Sequence, residues 1–511
     1  MSKYSAVIGM EVHCELKTRS KMFCGCANGY GLETSPNTHV CPVCMGHPGA
    51  LPIANVEAIK SVIKVGLALD ADIAKVSKFD RKNYFYPDLP KGYQISQYDQ
   101  PLTSKGKLQV GDSIVNITRV HLEEDTGKLT HPKGENYTLV DFNRAGVPLM
   151  ELVTEPDITS AEQAKQFCQE LQLVLRAIGV SDADMEKGQM RCEANISLLP
   201  VDKERIPENF GTKVEVKNLN SFKAVERAIA YELERQEMVL ESGGTLTQET
   251  RGWDDAKQQT YTQRAKESAH DYRYFPEPDL PPLVLDNSVS LPEGAVVVDI
   301  SAIAHTLPEL PQTMRRRFQN DYLLPYKDAL ILTSDPELAN YTEHVFTALR
   351  NWLPTLEGMD GTEDEIWEQG KKKVSKLING WLTSELFKLM NEQKVKLSDV
   401  KISAQQFADF LKLVYLNMVN STAAQLILKE MFETGADADT VLEDKDLKQI
   451  DDSSSLEETI IKIIDANPGP VADYKGGKEV ALQYLIGQGM KETKGKANPE
   501  KLKELFKAKL D

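Results

Sequence analysis

The chain has 511 residues, room for about three domains at ~100–200 residues each. Hydrophobic residues make up 41% and charged residues 27%, and no apolar run approaches the ~20 residues of a membrane helix, which excludes a membrane-spanning reading. Sixty Lys plus Arg against 77 Asp plus Glu leave a net charge of −17, which argues against a surface built for duplex DNA.

Residues 1–295 are rich in short strand patterns, glycines and prolines; helical periodicity dominates after them. No leader or targeting segment is expected ahead of the strand-like Ser5-Ala6-Val7-Ile8. In Gly9 to Leu16, period-two alternation sets Glu11, His13 and Glu15 on one face and Val12, Cys14 and Leu16 on the other. Cys24-Gly25-Cys26 and, after fourteen residues, Cys41-Pro42-Val43-Cys44 supply two close pairs of thiolates. Four sulfurs fill a tetrahedral Zn²⁺ shell and leave no open position, so this cluster predicts a structural metal in a reducing, cytoplasmic compartment. Cys168 and Cys192 fall at apolar positions and are expected to fill core.

Further along come the acids Glu123-Glu124-Asp125 and the stretch from Asp141 to Glu151. Ser160 with Gln163 reads as a capping box, opening a helix whose apolar face runs through Ala164, Phe167, Leu171, Val174, Leu175 and Ile178 to Gly179. The strand device returns at Met190 to Leu198, where Arg191, Glu193, Asn195 and Ser197 oppose Cys192, Ala194, Ile196 and Leu198. It appears again with Lys213, Glu215 and Lys217 opposing Val214 and Val216. A second helix starts near Ser221, with Phe222, Val225, Ile229 and Leu233 inward. Pro276, Pro278, Pro281 and Pro282 predict an extended crossing, and Ala295-Val296-Val297-Val298 a last strand. Strands and helices mix without βαβ regularity, so the expected fold class is α+β with an antiparallel sheet in residues 1–295, followed by all-helical domains over 296–400 and 401–511. In the last of these, Phe407, Phe410, Leu411 and Val414 make a helical stripe, and Asn498-Pro499 opens a closing helix.

Strand faces that pair carboxylates with His, Arg or Asn suit a hard cation such as Mg²⁺, and so a nucleotide-dependent reaction. The usual phosphate cradles are missing: no G-x-x-x-x-G-K-[ST] occurs, and Gly487-Gln488-Gly489 meets Glu492 where a G-x-G-x-x-G needs glycine. ATP, if used, then binds through metal and side chains on a sheet. No G-x-S-x-G elbow supports a serine hydrolase.

Five segments together resemble the GatB/GatE family, the GatB type being a subunit of aspartyl/glutamyl-tRNA amidotransferases. They are Ile8 to His13, the run from Lys78 through Tyr84-Phe85-Tyr86-Pro87 to Gln94, Leu122 to Asp125, Lys217-Asn218-Leu219-Asn220-Ser221-Phe222, and His270 to Pro278. The resemblance implies a cradle domain like the catalytic fold of glutamine synthetase, binding ATP and Mg²⁺. It implies phosphorylation of the side-chain carboxylate of Glu on tRNA(Gln) or Asp on tRNA(Asn). Ammonia from a partner amidase (glutaminase) subunit then displaces the phosphate, and a small third subunit tethers the two. Carried over by motif, Glu11, His13, Glu124 and Glu151 hold Mg²⁺, with Glu123, Arg191, Glu193 and Asn195 beside them and Lys217 and Asn218 at the nucleotide; the four cysteines match a zinc site. Two other readings compete: a stand-alone carboxylate-amine ligase, and a zinc-ribbon binding protein without catalysis. From Val471 to Asp511 nine lysines face six acids, a local excess of three positive charges. Lys475, Lys478, Lys491, Lys494 and Lys496 among Gly476, Gly477, Gly487, Gly489 and Gly495 predict a tail that grips tRNA phosphates.

Overall fold

The computed structural model of the chain describes residues 3–29, 34–265, 272–286, 296–447, 453–493 and 497–510. It forms two units, Met1–Gln312 and Thr313–Asp511. The first is α+β, built on a nine-stranded sheet. Five of its strands carry the site: β1 (Tyr4–Glu15), β2 (Ser113–Glu124), β3 (Pro148–Thr154), β4 (Met190–Pro200) and β5 (Val214–Leu219). Across the sheet they run β5, β4, β1, β3, β2, with Glu249–Asp254 and Gln259–Ala265 outside β5, and Thr103–Val110 and Asp72–Ile73 outside β2. The pairings are antiparallel as expected, with one exception: β5 runs parallel to Glu249–Asp254. The helix Phe222–Glu241 lies between those two strands in sequence, and a helical crossover returns the chain in the same direction.

The alternation read from the sequence decides which face is core. Met10, Val12 and Cys14 of β1, Val120 and Leu122 of β2, Met150 and Leu152 of β3, and Cys192, Ala194 and Ile196 of β4 are all buried. At about 1.5–3 kcal/mol for each large apolar side chain removed from water, a one-residue slip of β1 would forfeit several kcal/mol, which fixes its register. Three helices cover this face: α1 (Val56–Ala68), α2 (Ala161–Ala177) and α3 (Phe222–Glu241). Asn55, Ser160 and Ser221 cap them with side-chain oxygens that accept the first free backbone N–H groups. At α2 the box is only half closed, because Gln163 Oε1 accepts from the N–H of Thr159 at 2.9 Å rather than from Ser160.

A second sheet joins Arg273–Pro276, Asp80–Asn83 and Tyr93–Ser96. It uses the proline-rich segment as an edge strand. Ala295 lies outside the described residues, and Val296–Val297 pairs in parallel with Leu283–Val284.

The second unit is helical. Its apolar residues gather into one cluster from Phe318 to Leu442 and another from Leu456 to Leu510. The boundary expected near residue 400 therefore has to move: Phe407 and Phe410 are fully buried in the first cluster, and the Trp381 and Phe410 rings meet edge to face at 5.1 Å. The aromatic stripe after residue 400 completes the core of the helices before it. In the second cluster Asn498 caps Pro499–Leu510, which buries Leu502, Phe506 and Leu510. Among the described residues no helix is long and apolar enough to cross a membrane.

Candidate functional site: a carboxylate and histidine cleft on the open sheet face

The face of the sheet away from the helices carries the polar half of each alternation. His13 is paired in register with Glu151 on one side and Arg191 on the other; Glu11 faces Glu193, and Glu151 faces His121. These side chains line an open cleft of about 570 Å³. The smaller sheet supplies Lys82, Tyr84, Gln94 and Tyr274 to the same cleft.

Within it, His13 Nε2 lies 3.5 Å from Glu151 and 3.8 Å from both Glu11 and Glu123. His121 Nε2 lies 3.3 Å from Glu151 and 3.8 Å from Glu123. Three groups therefore have ligand atoms within 4.8 Å of one another: Glu11, His13 and Glu151; His121, Glu123 and Glu151; and Glu11, Glu193 and Glu215. Oxygen donors, joined by one imidazole in each of the first two groups and gathered at that spacing, fit a hard divalent cation that completes its shell with water or phosphate.

The electrostatics show how much this grouping calls for a cation. Burial, with the Glu151 and Glu193 charges, pushes the Glu11 carboxyl up to about 7. Burial alone would strip the proton from His13, but its hydrogen bond and attraction to Glu151, with Glu123 and Glu193 behind, raise it to about 9. Glu151 is held well below the usual carboxylate range against burial, chiefly by His121 and His13. Lys82, Arg191 and Lys217 are likewise pushed up against burial, by Glu123, Asp125 and Glu193 respectively. Arg191 donates to Asp125 at 2.8 Å and Lys217 to Glu193 at 2.7 Å.

Glu124 requires a correction. It follows Glu123 by one residue, so the pleat turns its side chain out of the cleft. It instead pairs with Lys91 Nζ at 2.6 Å and accepts the Ile95 N–H at 2.9 Å. The carboxylate that meets His13 from β2 is Glu123. Asn195 shares the face of Arg191 and Glu193 but sits beyond the cleft, paired with Gly9 and Glu215. Asn218 is exposed in a left-handed conformation, φ 65°, where β5 bulges against β4, and it also stands outside the cleft.

The family model described as the GatB/GatE catalytic domain matches residues 6–290, and one described as the GatB domain matches residues 364–510. The chain is 43% identical to the GatB subunit of the aspartyl/glutamyl-tRNA(Asn/Gln) amidotransferase of Carboxydothermus hydrogenoformans, over 100% of this chain and 99% of that one. The chain belongs to the GatB family of aspartyl/glutamyl-tRNA(Asn/Gln) amidotransferase subunits. Proteins of the same description from Caldanaerobacter subterraneus and Dehalococcoides mccartyi are 44% and 46% identical, each over 99% or more of both chains.

In this GatB-family chain the four cysteines meet as expected. The Sγ atoms of Cys24, Cys26, Cys41 and Cys44 all lie within 4.8 Å of one another, and Cys41 and Cys44 are 3.8 Å apart. A tetrahedral Zn²⁺ with Zn–S near 2.3 Å needs sulfurs about 3.8 Å apart, so the set fits. Burial and a hydrogen bond to Cys44 drive the Cys24 thiol up, while that same bond helps draw Cys44 down toward the thiolate. Cys168 and Cys192 are buried in the core.

Several cleft residues carried no sequence signal of their own. His121 and Arg119 share the β2 face with Glu123, and the alternation Arg119, His121, Glu123 could have revealed them had the strand's phase been read. Lys82, Tyr84 and Tyr274 come from a separate sheet, and only the fold brings them to Glu123 and Glu151. His270 and Asp271 of the recognised motif lie outside the described residues.

Proposed function

We propose that this chain is the carboxyl-activating component of a glutamine-dependent aminoacyl-tRNA amidotransferase, acting on Glu-tRNA(Gln), Asp-tRNA(Asn) or both. The observation that supports this most is the meeting of Glu11, His13, Glu123 and Glu151 with Lys82 and Arg191 in one open cleft. Anionic and cationic groups side by side suit the transfer of a phosphoryl group between two other anions, ATP and a carboxylate.

Glu11, His13 and Glu151, with His121 and Glu123 next to them, are the residues that would hold Mg²⁺. When bound, the cation supplies charge neutralisation for the transferring phosphoryl group. The chain's own cations do the rest. Lys82 and Arg191 face the carboxylates of the cleft and spread the charge of an incoming phosphate, and Lys217 stands at its β5 end for the nucleotide. ATP would phosphorylate the side-chain carboxylate of the misacylated residue; ammonia then attacks the acyl carbon, phosphate leaves, and the amide is formed. Tyr84, Tyr272 and Tyr274 line the cleft and exclude water from the acyl phosphate.

Ammonia comes in this reading from the amidase (glutaminase) partner, held in one complex by the small third component, in the cytoplasm. The cysteine cluster holds structural Zn²⁺. The basic tail binds tRNA phosphates; of its lysines Lys478 is paired with Asp473 at 2.9 Å, and Lys494, Gly495 and Lys496 lie outside the described residues. A stand-alone carboxylate-amine ligase, or a zinc-binding protein without catalysis, leaves the family relationship or the cleft without a role. The test is reconstitution with the glutaminase and the small tethering protein on both misacylated tRNAs, with ammonium chloride replacing glutamine in a second arm. Amide formation in both arms, dependent on ATP, supports the proposal; ATP turnover indifferent to misacylated tRNA rejects it.

A further inference from the structure

Lys21 is completely buried, a position lysine rarely takes without a partner. Its Nζ donates to the carbonyl oxygens of Ala145 at 2.7 Å and Phe142 at 3.2 Å, and stands 3.8 Å from Cys44 Sγ. These partners occupy the three donors of the ammonium. None of the three is a carboxylate, so the sulfur is the group among them that answers the buried charge. Four thiolates around one Zn²⁺ carry a formal charge of about −2, and a buried ammonium against one of them removes half of it.

The two carbonyls belong to a turn that reaches the active cleft within a few bonds. Gly146 N–H donates to the Asp125 carbonyl at 2.9 Å, Asp125 N–H donates to the Val147 carbonyl at 2.8 Å, and the Met22 N–H, next to Lys21, donates to the Gly146 carbonyl at 2.7 Å. The Asp125 carboxylate in turn accepts from Arg191. The turn has little slack on the cysteine side: Gly146 has φ +86°, and a Cβ there would lie 3.4 Å from Cys44 Cβ and 3.5 Å from Lys21 Cδ.

We infer that Lys21 is a positioning residue that balances the thiolate charge of the cysteine-held cation and passes the occupancy of that cluster, through the Phe142 to Val147 turn, to the Asp125–Arg191 pair. The inference rests on the reading that Cys24, Cys26, Cys41 and Cys44 hold zinc, and extends it to the reaction cleft.

The test uses the full chain in its complex with the glutaminase and the small tethering protein, as wild type, Lys21→Met and Lys21→Gln. Zinc affinity is read by competition with a chromogenic chelator, and the sulfur environment by the thiolate-to-metal charge-transfer band of the Co²⁺-substituted protein. Loss of an outer-sphere partner commonly costs about 10–100-fold in metal affinity. Lys21→Met should fall in that range with its band moved to lower energy, and Lys21→Gln, which keeps a donor but no charge, should lie between Met and wild type. If the variants do not fold, hydrogen exchange on the unmodified complex decides. With Mg²⁺ kept in excess, stripping zinc should speed exchange at the Asp125 and Gly146 amides at least tenfold while the paired amides of β4 stay protected. Equal zinc affinity and an unshifted band in the variants, or a turn whose exchange ignores zinc removal, would overturn the inference while leaving the zinc reading intact. Failure of the wild-type chain to take up either Zn²⁺ or Co²⁺ would overturn both.

Discussion

His13 Nε2 stands 3.5 Å from Glu151 Oε2, and the two residues are directly paired across β1 and β3. A histidine and a carboxylate in register on the open face of a sheet are held by backbone hydrogen bonds on both sides, so their spacing is set before any ligand arrives. Glu151 also lies 3.3 Å from His121, which makes it the shared member of two of the three cation groups. Replacing Glu151 by Gln keeps its size and removes its charge. Amide formation should drop at least a hundredfold, about 2.7 kcal/mol of transition-state stabilisation, while thermal unfolding moves little. Near-normal amide formation by that variant in the reconstituted complex would remove Glu151 from the site.

Glu123 and Glu124 are neighbours in sequence with opposite duties. Glu123→Gln should weaken Mn²⁺ binding, read by electron paramagnetic resonance, and suppress phosphate release. Glu124→Ala should leave Mn²⁺ affinity unchanged and instead lower stability by about 3–5 kcal/mol, because Lys91 loses its ion-pair partner in a buried setting. Chemical denaturation compares the two. A reversed pattern would restore Glu124 as the cleft carboxylate.

This pair also shows where the sequence could be read and where it could not. Alternation placed Glu11 with His13, and Arg191 with Glu193, because each polar residue is flanked by apolar ones that declare the phase. In Glu123-Glu124-Asp125 three acids in a row carry no phase, and only the pairing of Leu149 with Glu123 and Pro148 with Glu124 settles which one faces His13. The cysteine cluster was legible from spacing alone, since both pairs are local. Lys82 and Tyr274 were not, because strands nearly two hundred residues apart in sequence pair to bring them together. The helical boundary near residue 400 was misplaced because a helical stripe reveals that a face is buried, not which helices bury it.

Cation binding should depend on pH in a definite direction. With the cleft emptied by chelation, Glu11 keeps its proton up to about 7 and His13 up to about 9, and a cation must displace both. Mn²⁺ affinity should therefore rise with pH between 6 and 9, by about tenfold per unit where one of these protons is released. Calorimetry in buffers of different ionisation enthalpy should show proton release on binding. An affinity flat across this range would contradict the assignment of Glu11 and His13 as ligands.

The cysteine cluster should contain one zinc per chain by elemental analysis. Cys41→Ser should lose it and lower the melting temperature, with a smaller loss in ATP-dependent chemistry, because a closed four-sulfur site has no position for substrate. Zinc-free wild-type protein with Cys24 and Cys41 open to alkylation in the folded state would refute the site.

The central claim is that a side-chain carboxylate is phosphorylated in this cleft before ammonia attacks it, and an isotope reports that step directly. Glu-tRNA(Gln) carrying ¹⁸O in both side-chain carboxylate oxygens is given to the reconstituted complex with ATP and glutamine, and the inorganic phosphate is analysed by mass. Passage through an acyl phosphate transfers one ¹⁸O to phosphate for each amide formed. Amide formation with unlabelled phosphate would contradict the account.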